Sequence, residues 1–180
     1  MREHHNKKLS DSERENWLRL IRSENVGPVT FFRLLERYGS VENAITALPN
    51  LAQKGGRKNY KIANKSEAQS EIEKNYKSGA NIIAWCEPNY PPLLRMTEGA
   101  PPVISVIGNL HLLQNTCVGI VGARNASVNG LNLARRMAAD LGKGGYGCSD
   151  IMVTSGMARG IDTAAHQGSL ETGTIAVLAG

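Results

Sequence analysis

Apolar positions along the first fifty residues recur every three or four places, the spacing that lines one face of a helix. Trp17, Leu18 and Ile21 form the first set, with Ser12 and Glu15 spaced as a capping box to open it, and the pattern stops before Gly27-Pro28. Phe31, Leu34, Leu35 and Tyr38 form the second set and close at Gly39, a natural C-terminal cap. Val41, Ala44, Ile45 and Leu48 form the third, ending at Pro49. Three short amphipathic helices in succession predict a small helical domain.

The turn Glu24-Asn25-Val26-Gly27-Pro28-Val29-Thr30 resembles the hairpin of helix-hairpin-helix and related SAM-like modules, in which backbone N–H groups at a helix start bind phosphate. The same turn is also a simple link between two antiparallel helices, and the sequence leaves both readings open. A polar stretch from Gln53 to Asn59 loosens the pattern before Ser66 and Gln69, which are placed to cap another helix ending at Gly79. This composition change puts a domain boundary at 65/66.

Beyond it the period becomes strand-like, in Asn81-Ile82-Ile83-Ala84-Trp85 and Val103-Ile104-Ser105-Val106-Ile107, with proline-rich turns at Pro91-Pro92 and Pro101-Pro102 between them. From Cys117 strand and helix alternate. Residues 117–121, 151–154 and 174–178 read as strands; Val128, Leu131, Ala134, Ala138 and Leu141 line one helix, and Asp162 to Leu170 make another. That βαβαβ order is one half of a doubly wound parallel sheet. The expected fold is therefore α/β, a small helical SAM-like domain (1–65) followed by a Rossmann-like domain (66–180) that is truncated at its C-terminus.

Charge sharpens this division. The net charge is +5, and residues 1–65 carry 13 Lys/Arg against 7 Asp/Glu, so the excess sits in the helical lobe. A basic lobe suits polyanion contact and equally suits a solvated helical surface. With 41% apolar and 21% charged residues a packed core is expected. No apolar run approaches the roughly 20 residues that cross a bilayer, and the start lacks a signal peptide, so a cytoplasmic protein without a membrane partner is expected. Cys86, Cys117 and Cys148 form no CxxC pair and read as thiols in a packed interior, while His4, His5, His111 and His166 have no metal-ligand spacing; neither a metal nor a cofactor is expected.

Two loops at the carboxyl ends of neighbouring parallel strands carry the candidate chemistry, because open α/β sheets bind ligands there. They are Gly122-Ala123-Arg124-Asn125-Ala126-Ser127 and Ser155-Gly156-Met157-Ala158-Arg159-Gly160-Ile161-Asp162. Glycine lets backbone approach an anion, the following helix directs N–H groups at it, and arginine offers a bidentate contact. Neither GxGxxG with its small residues nor GxxxxGK[ST] is present, which argues against a dinucleotide or a nucleoside triphosphate.

Tyr90-Pro91, Ala100-Pro101-Pro102, Gly108, the first loop with Ile120-Val121, and the second loop with Ala165-His166 follow one another as in the DNA processing protein A family (DprA/Smf), which residues 80–180 resemble. The helical third is similar, more loosely, to that family's SAM-like domain. One departure is Gly144 to Asp150, longer than the family's usual link before the second strand. The resemblance implies a non-enzymatic protein that holds and protects single-stranded DNA and loads the RecA recombinase in natural transformation and recombination, acting as a homodimer. It assigns the DNA pocket to Arg124, and with it Gly122, Ser155, Gly156 and Arg159. Asp162 reads as an N-cap and His166 as a hydrogen-bonded structural residue; no nucleophile paired with a base, hence no catalytic residue, is visible. The family's remaining DNA-binding lysine and its dimer and recombinase surfaces are expected beyond Gly180. The rival reading is a nucleotide-processing phosphoribohydrolase of the lysine-decarboxylase-like group, which shares the Rossmann core and glycine loops.

Overall fold

A computed structural model describes residues 7–56, 59–144 and 151–179. Its contacts divide the chain into two compact units, Met1–Leu110 and His111–Gly180.

The first unit opens with α1 (Asp11–Arg22), α2 (Pro28–Tyr38), α3 (Val41–Lys54) and α4 (Lys65–Lys77). Their ends differ in detail from what the spacing suggested. The capping box that starts α1 is Ser10 with Glu13, not Ser12 with Glu15. Glu15 is turned inward instead, where Gln69 donates to its carboxylate at 2.9 Å. Likewise α4 is capped by Asn64 with Glu67 rather than Ser66 with Gln69. Helix α2 does close at Gly39, whose φ of 74° is the left-handed cap conformation that glycine adopts without strain. Helix α3 runs through Pro49 to Lys54. Proline removes one hydrogen bond there, but Leu51 and Ala52 continue the packed stripe of Ile45 and Leu48 and keep the spiral going.

Strands β1 (Ala80–Ala84) and β2 (Val103–Ile107) form a separate antiparallel pair, with Ala80 opposite Ile107 and Ala84 opposite Val103. The intervening segment, with the single turn α5 (Pro92–Arg95), is organised by Arg95, which donates to the carbonyls of Trp85 (3.0 Å) and Glu87 (2.6 Å). A second arginine joins the helical region to this hairpin. The Arg14 guanidinium makes a two-point contact with the buried Glu87 carboxylate (2.8 and 3.0 Å), which also accepts from the backbone N–H of Leu9 and Ala84. Trp17, Phe31, Phe32 and Trp85 follow one another with ring centroids 4.9, 5.4 and 5.1 Å apart. These links join the helices and the hairpin within the first compact unit, which extends to Leu110. Cys86 lies in this interior, where burial pushes its thiol up to about 11.

The second unit holds a three-stranded parallel sheet, β3 (Cys117–Gly119), β4 (Met152–Ser155) and β5 (Thr174–Ala176), in the order β3-β4-β5. Helix α6 (Val128–Gly142) connects the first two strands and α7 (Ile161–Ser169) the last two. Ala138, Val153 and Ala165 form the core, with Ile120 and Leu141 against it. Small residues let the helices approach: a Cβ on Gly168 would overlap the backbone of Arg135. Val128, expected on the packed side of α6, is instead 71% exposed. The long link that the sequence singled out lies outside the described residues from 145 to 150, as do Cys148, His4 and His5.

Candidate nucleic-acid interface

The loops after β3 and β4 form one structure. Past the regular pairing, Ile120 N–H donates to Thr154 O (2.9 Å) and the Ser155 hydroxyl donates to Ile120 O (2.6 Å), so the two strand ends stay level as the chain leaves the sheet. The Ile161 N–H then donates to Ala123 O at 3.3 Å. Gly160, with φ 90°, lies against the backbone of Ala123 and Arg124 so closely that a Cβ would overlap both. Only glycine meets the dihedral and the contact together.

The five residues expected to form the site divide by role in this arrangement. Arg124 and Arg159 are exposed, and neither is paired with a carboxylate among the described residues. Gly122 packs under the second loop: a Cβ on it would stand 2.7 Å from Ile161 Cγ1. Ser155 is buried, and its hydroxyl proton is committed to Ile120 O. Gly156 directs its carbonyl at His166 Nε2, 2.7 Å away, and a Cβ on its other side would meet Asp162 Oδ2. Thus Gly122, Arg124 and Arg159 are exposed, Gly156 is half-buried and Ser155 buried, and of these Gly122, Ser155 and Gly156 make the contacts that hold the loops in shape.

The starts of the two helices are not equivalent. Helix α6 has Ser127 as its N-cap, its hydroxyl accepting from Gly130 N–H at 3.2 Å. Helix α7 has Gly160 as its N-cap residue, and Asp162, expected to be the cap, sits in the first turn and is buried. A negative charge there already complements the positive end of the helix dipole, and Ile161 N–H is used by the first loop. Sequence reasoning did not include Gly160 among the site residues; its signal was a glycine directly before a helix inside an otherwise ordered loop. It also could not show that His166, read correctly as hydrogen-bonded, reaches across to β5, where Nδ1 lies 2.8 Å from Thr174 Oγ1.

No cluster of His, Cys, Asp and Glu among the described residues is arranged to hold a metal, and none of the described helices is long and apolar enough to cross a membrane.

Known proteins share this architecture. The sequence profile described as DNA recombination-mediator protein A matches residues 81–180, and that described as the DprA-like N-terminal HHH domain matches residues 11–73. The chain belongs to the DprA/Smf family. Protein Smf of Synechocystis is 30% identical over 94% of this chain and 45% of its own length. DNA processing protein DprA of Streptococcus pneumoniae is 36% identical over 49% of this chain and 30% of its own length. The crystal structure of S. pneumoniae DNA processing protein A superposes with a TM-score of 0.64 at 26% identity, covering 95% of this chain and 58% of that one. The chain thus spans less than half the length of these curated relatives. In family terms the helical sequence pattern belongs to the first profile, and both loops fall within the second.

Proposed function

We propose that this chain carries a single-stranded-DNA-holding site of a DNA-processing protein, with Arg124 and Arg159 as its phosphate contacts. The observation that carries this reading is the pair of exposed arginines, free of carboxylate partners among the described residues, on two glycine loops joined at the ends of parallel strands. A guanidinium offers a planar fork that matches phosphate oxygens. The relatives named for DNA processing support DNA as the polyanion. The same reading takes the whole protein to act without catalysis, protecting incoming strands, loading the RecA recombinase in natural transformation and recombination, and working as a homodimer.

The test is a titration of wild type and Arg124→Ala against mixed-sequence and homopolymer oligonucleotides, single- and double-stranded, at several salt concentrations. The variant should bind all single strands more weakly, with the log-log salt slope flattened by about 0.7, the single-strand value for one neutralised phosphate. Circular dichroism checks that it is folded. Unchanged affinity and slope would remove the site from this loop, and a loss confined to one sequence would make Arg124 a base-reading residue.

A further inference from the structure

The hydrogen bonds around His166 call for more protons than a neutral imidazole and one hydroxyl possess. Nε2 faces the carbonyl oxygen of Gly156 at 2.7 Å, a group that only accepts, so Nε2 carries a proton. Nδ1 faces Thr174 Oγ1 at 2.8 Å, while that hydroxyl's single proton is directed to Val153 O at 2.9 Å. Toward the ring, Thr174 Oγ1 is then an acceptor. All three contacts are made at once only when both ring nitrogens are protonated; in the neutral ring the Thr174 proton must serve either Nδ1 or Val153 O.

We propose that His166 is the positioning residue of the two-loop site: doubly protonated, it clasps the Gly156 carbonyl to Thr174 of β5 and fixes the second loop, with Arg159, in the form that receives an anionic strand. The ligand in this proposal rests on the nucleic-acid reading above; the clasp rests on the geometry alone.

The surroundings define which charges act on the ring. On its own helix Asp162 lies one turn earlier, buried, with Oδ2 2.7 Å from where a Cβ on Gly156 would stand. Strands β4 and β5 contain no ionisable residue, and the second loop contributes only Arg159 at its far end. Helix α6 contributes Arg135, whose guanidinium donates to Gln167 Oε1, beside the histidine in sequence, at 2.9 Å. Uptake of the second ring proton is what closes the clasp, so acidification favours the closed form.

The experiment follows the ring nitrogens of His166 and the amides of Gly156 and Met157 by NMR from pH 8 to pH 5.5, in the wild-type chain, Thr174→Ser and Thr174→Val. Oligo(dT) binding is measured on the same samples. In wild type and Thr174→Ser the second ring proton and the amide shifts should arrive with one midpoint, and binding should tighten across it by about fivefold, the size of one net hydrogen bond. Thr174→Val, close in shape but without the hydroxyl, should lose the shared midpoint and bind with a flat pH profile. A ring that titrates without moving the loop amides in wild type would overturn the clasp, as would an unchanged pH profile in Thr174→Val. Joint titration of ring and loop with no oligonucleotide bound at any pH would support the clasp and refute DNA as the ligand.

Discussion

At the scale of single residues the loops depend on contacts that admit no substitute. Gly160→Ala would set a methyl group into the backbone of Ala123 and Arg124 and require a left-handed φ of a residue that resists it. The expected cost is about 1–3 kcal/mol, the usual range for such strain, in urea denaturation of the second unit. Oligonucleotide binding should fall with it, because the loop bearing Arg124 must withdraw. Gly122→Ala meets an isoleucine side chain instead of backbone and should be milder in both measurements. The sequence singled out the motif that holds these glycines but could not rank them, since the ranking depends on what faces each α-carbon after folding.

Helix ends provide the test at the scale of elements. The α1 start rests on Ser10, whose hydroxyl accepts from Glu13 N–H while the Glu13 carboxylate accepts from Ser10 N–H. Ser10→Ala should cost about 1 kcal/mol and Ser12→Ala close to nothing, measured by chemical denaturation. The Glu13 carboxyl is held down to about 2, from an ordinary 4.5, chiefly by its hydrogen bond from Lys7 and then by those from Ser10. A depressed carboxyl stabilises the fold above its unfolded value and ceases to do so as pH falls from about 4.5 toward 2. The stability gap between wild type and Glu13→Gln, open at pH 7, should therefore close across that window. Sequence spacing placed this helix within a turn of its true start, but two serine–glutamate pairs three apart compete there. The second lost because Glu15 is drawn inward to Gln69 of α4, a partner 54 positions away.

At the scale of the whole molecule the two units differ in what they bury. The first encloses Trp17, Phe31, Trp85, Tyr90 and several leucines, whereas the second encloses mainly alanines with Ile151, Met152 and Val153, and exposes Val121, Leu170, Val177 and Leu178. Burial of each methylene contributes about 0.8 kcal/mol, so the second unit should open first. Hydrogen exchange should run on the order of tenfold or more faster in β3, β4 and β5 than in α1 and α3, and equal protection would contradict this accounting. Removing Glu87 should act on the first unit only. Glu87→Ala leaves the Arg14 guanidinium without its buried carboxylate, and a loss of about 3–5 kcal/mol is expected there, read as faster exchange in both α1 and β1.

The sequence alone determined the order of the longer helices and the strands, the parallel sheet, the two arginine loops and the family, because each follows from periodicity or from residues adjacent along the chain. Hydrophobic spacing dictates a helix or strand before any tertiary contact exists, and a motif stays contiguous whatever packs around it. Tertiary structure decided what depends on distant partners. Arg14 and Glu87, 73 positions apart, tie α1 to the β1–β2 hairpin. Ser155 and Gly156 became supports rather than exposed contacts because Ile120 and His166 lay within hydrogen-bonding reach of them. The energy of such a contact exists only once folding has brought its two sides together, so neither residue's local sequence could announce it.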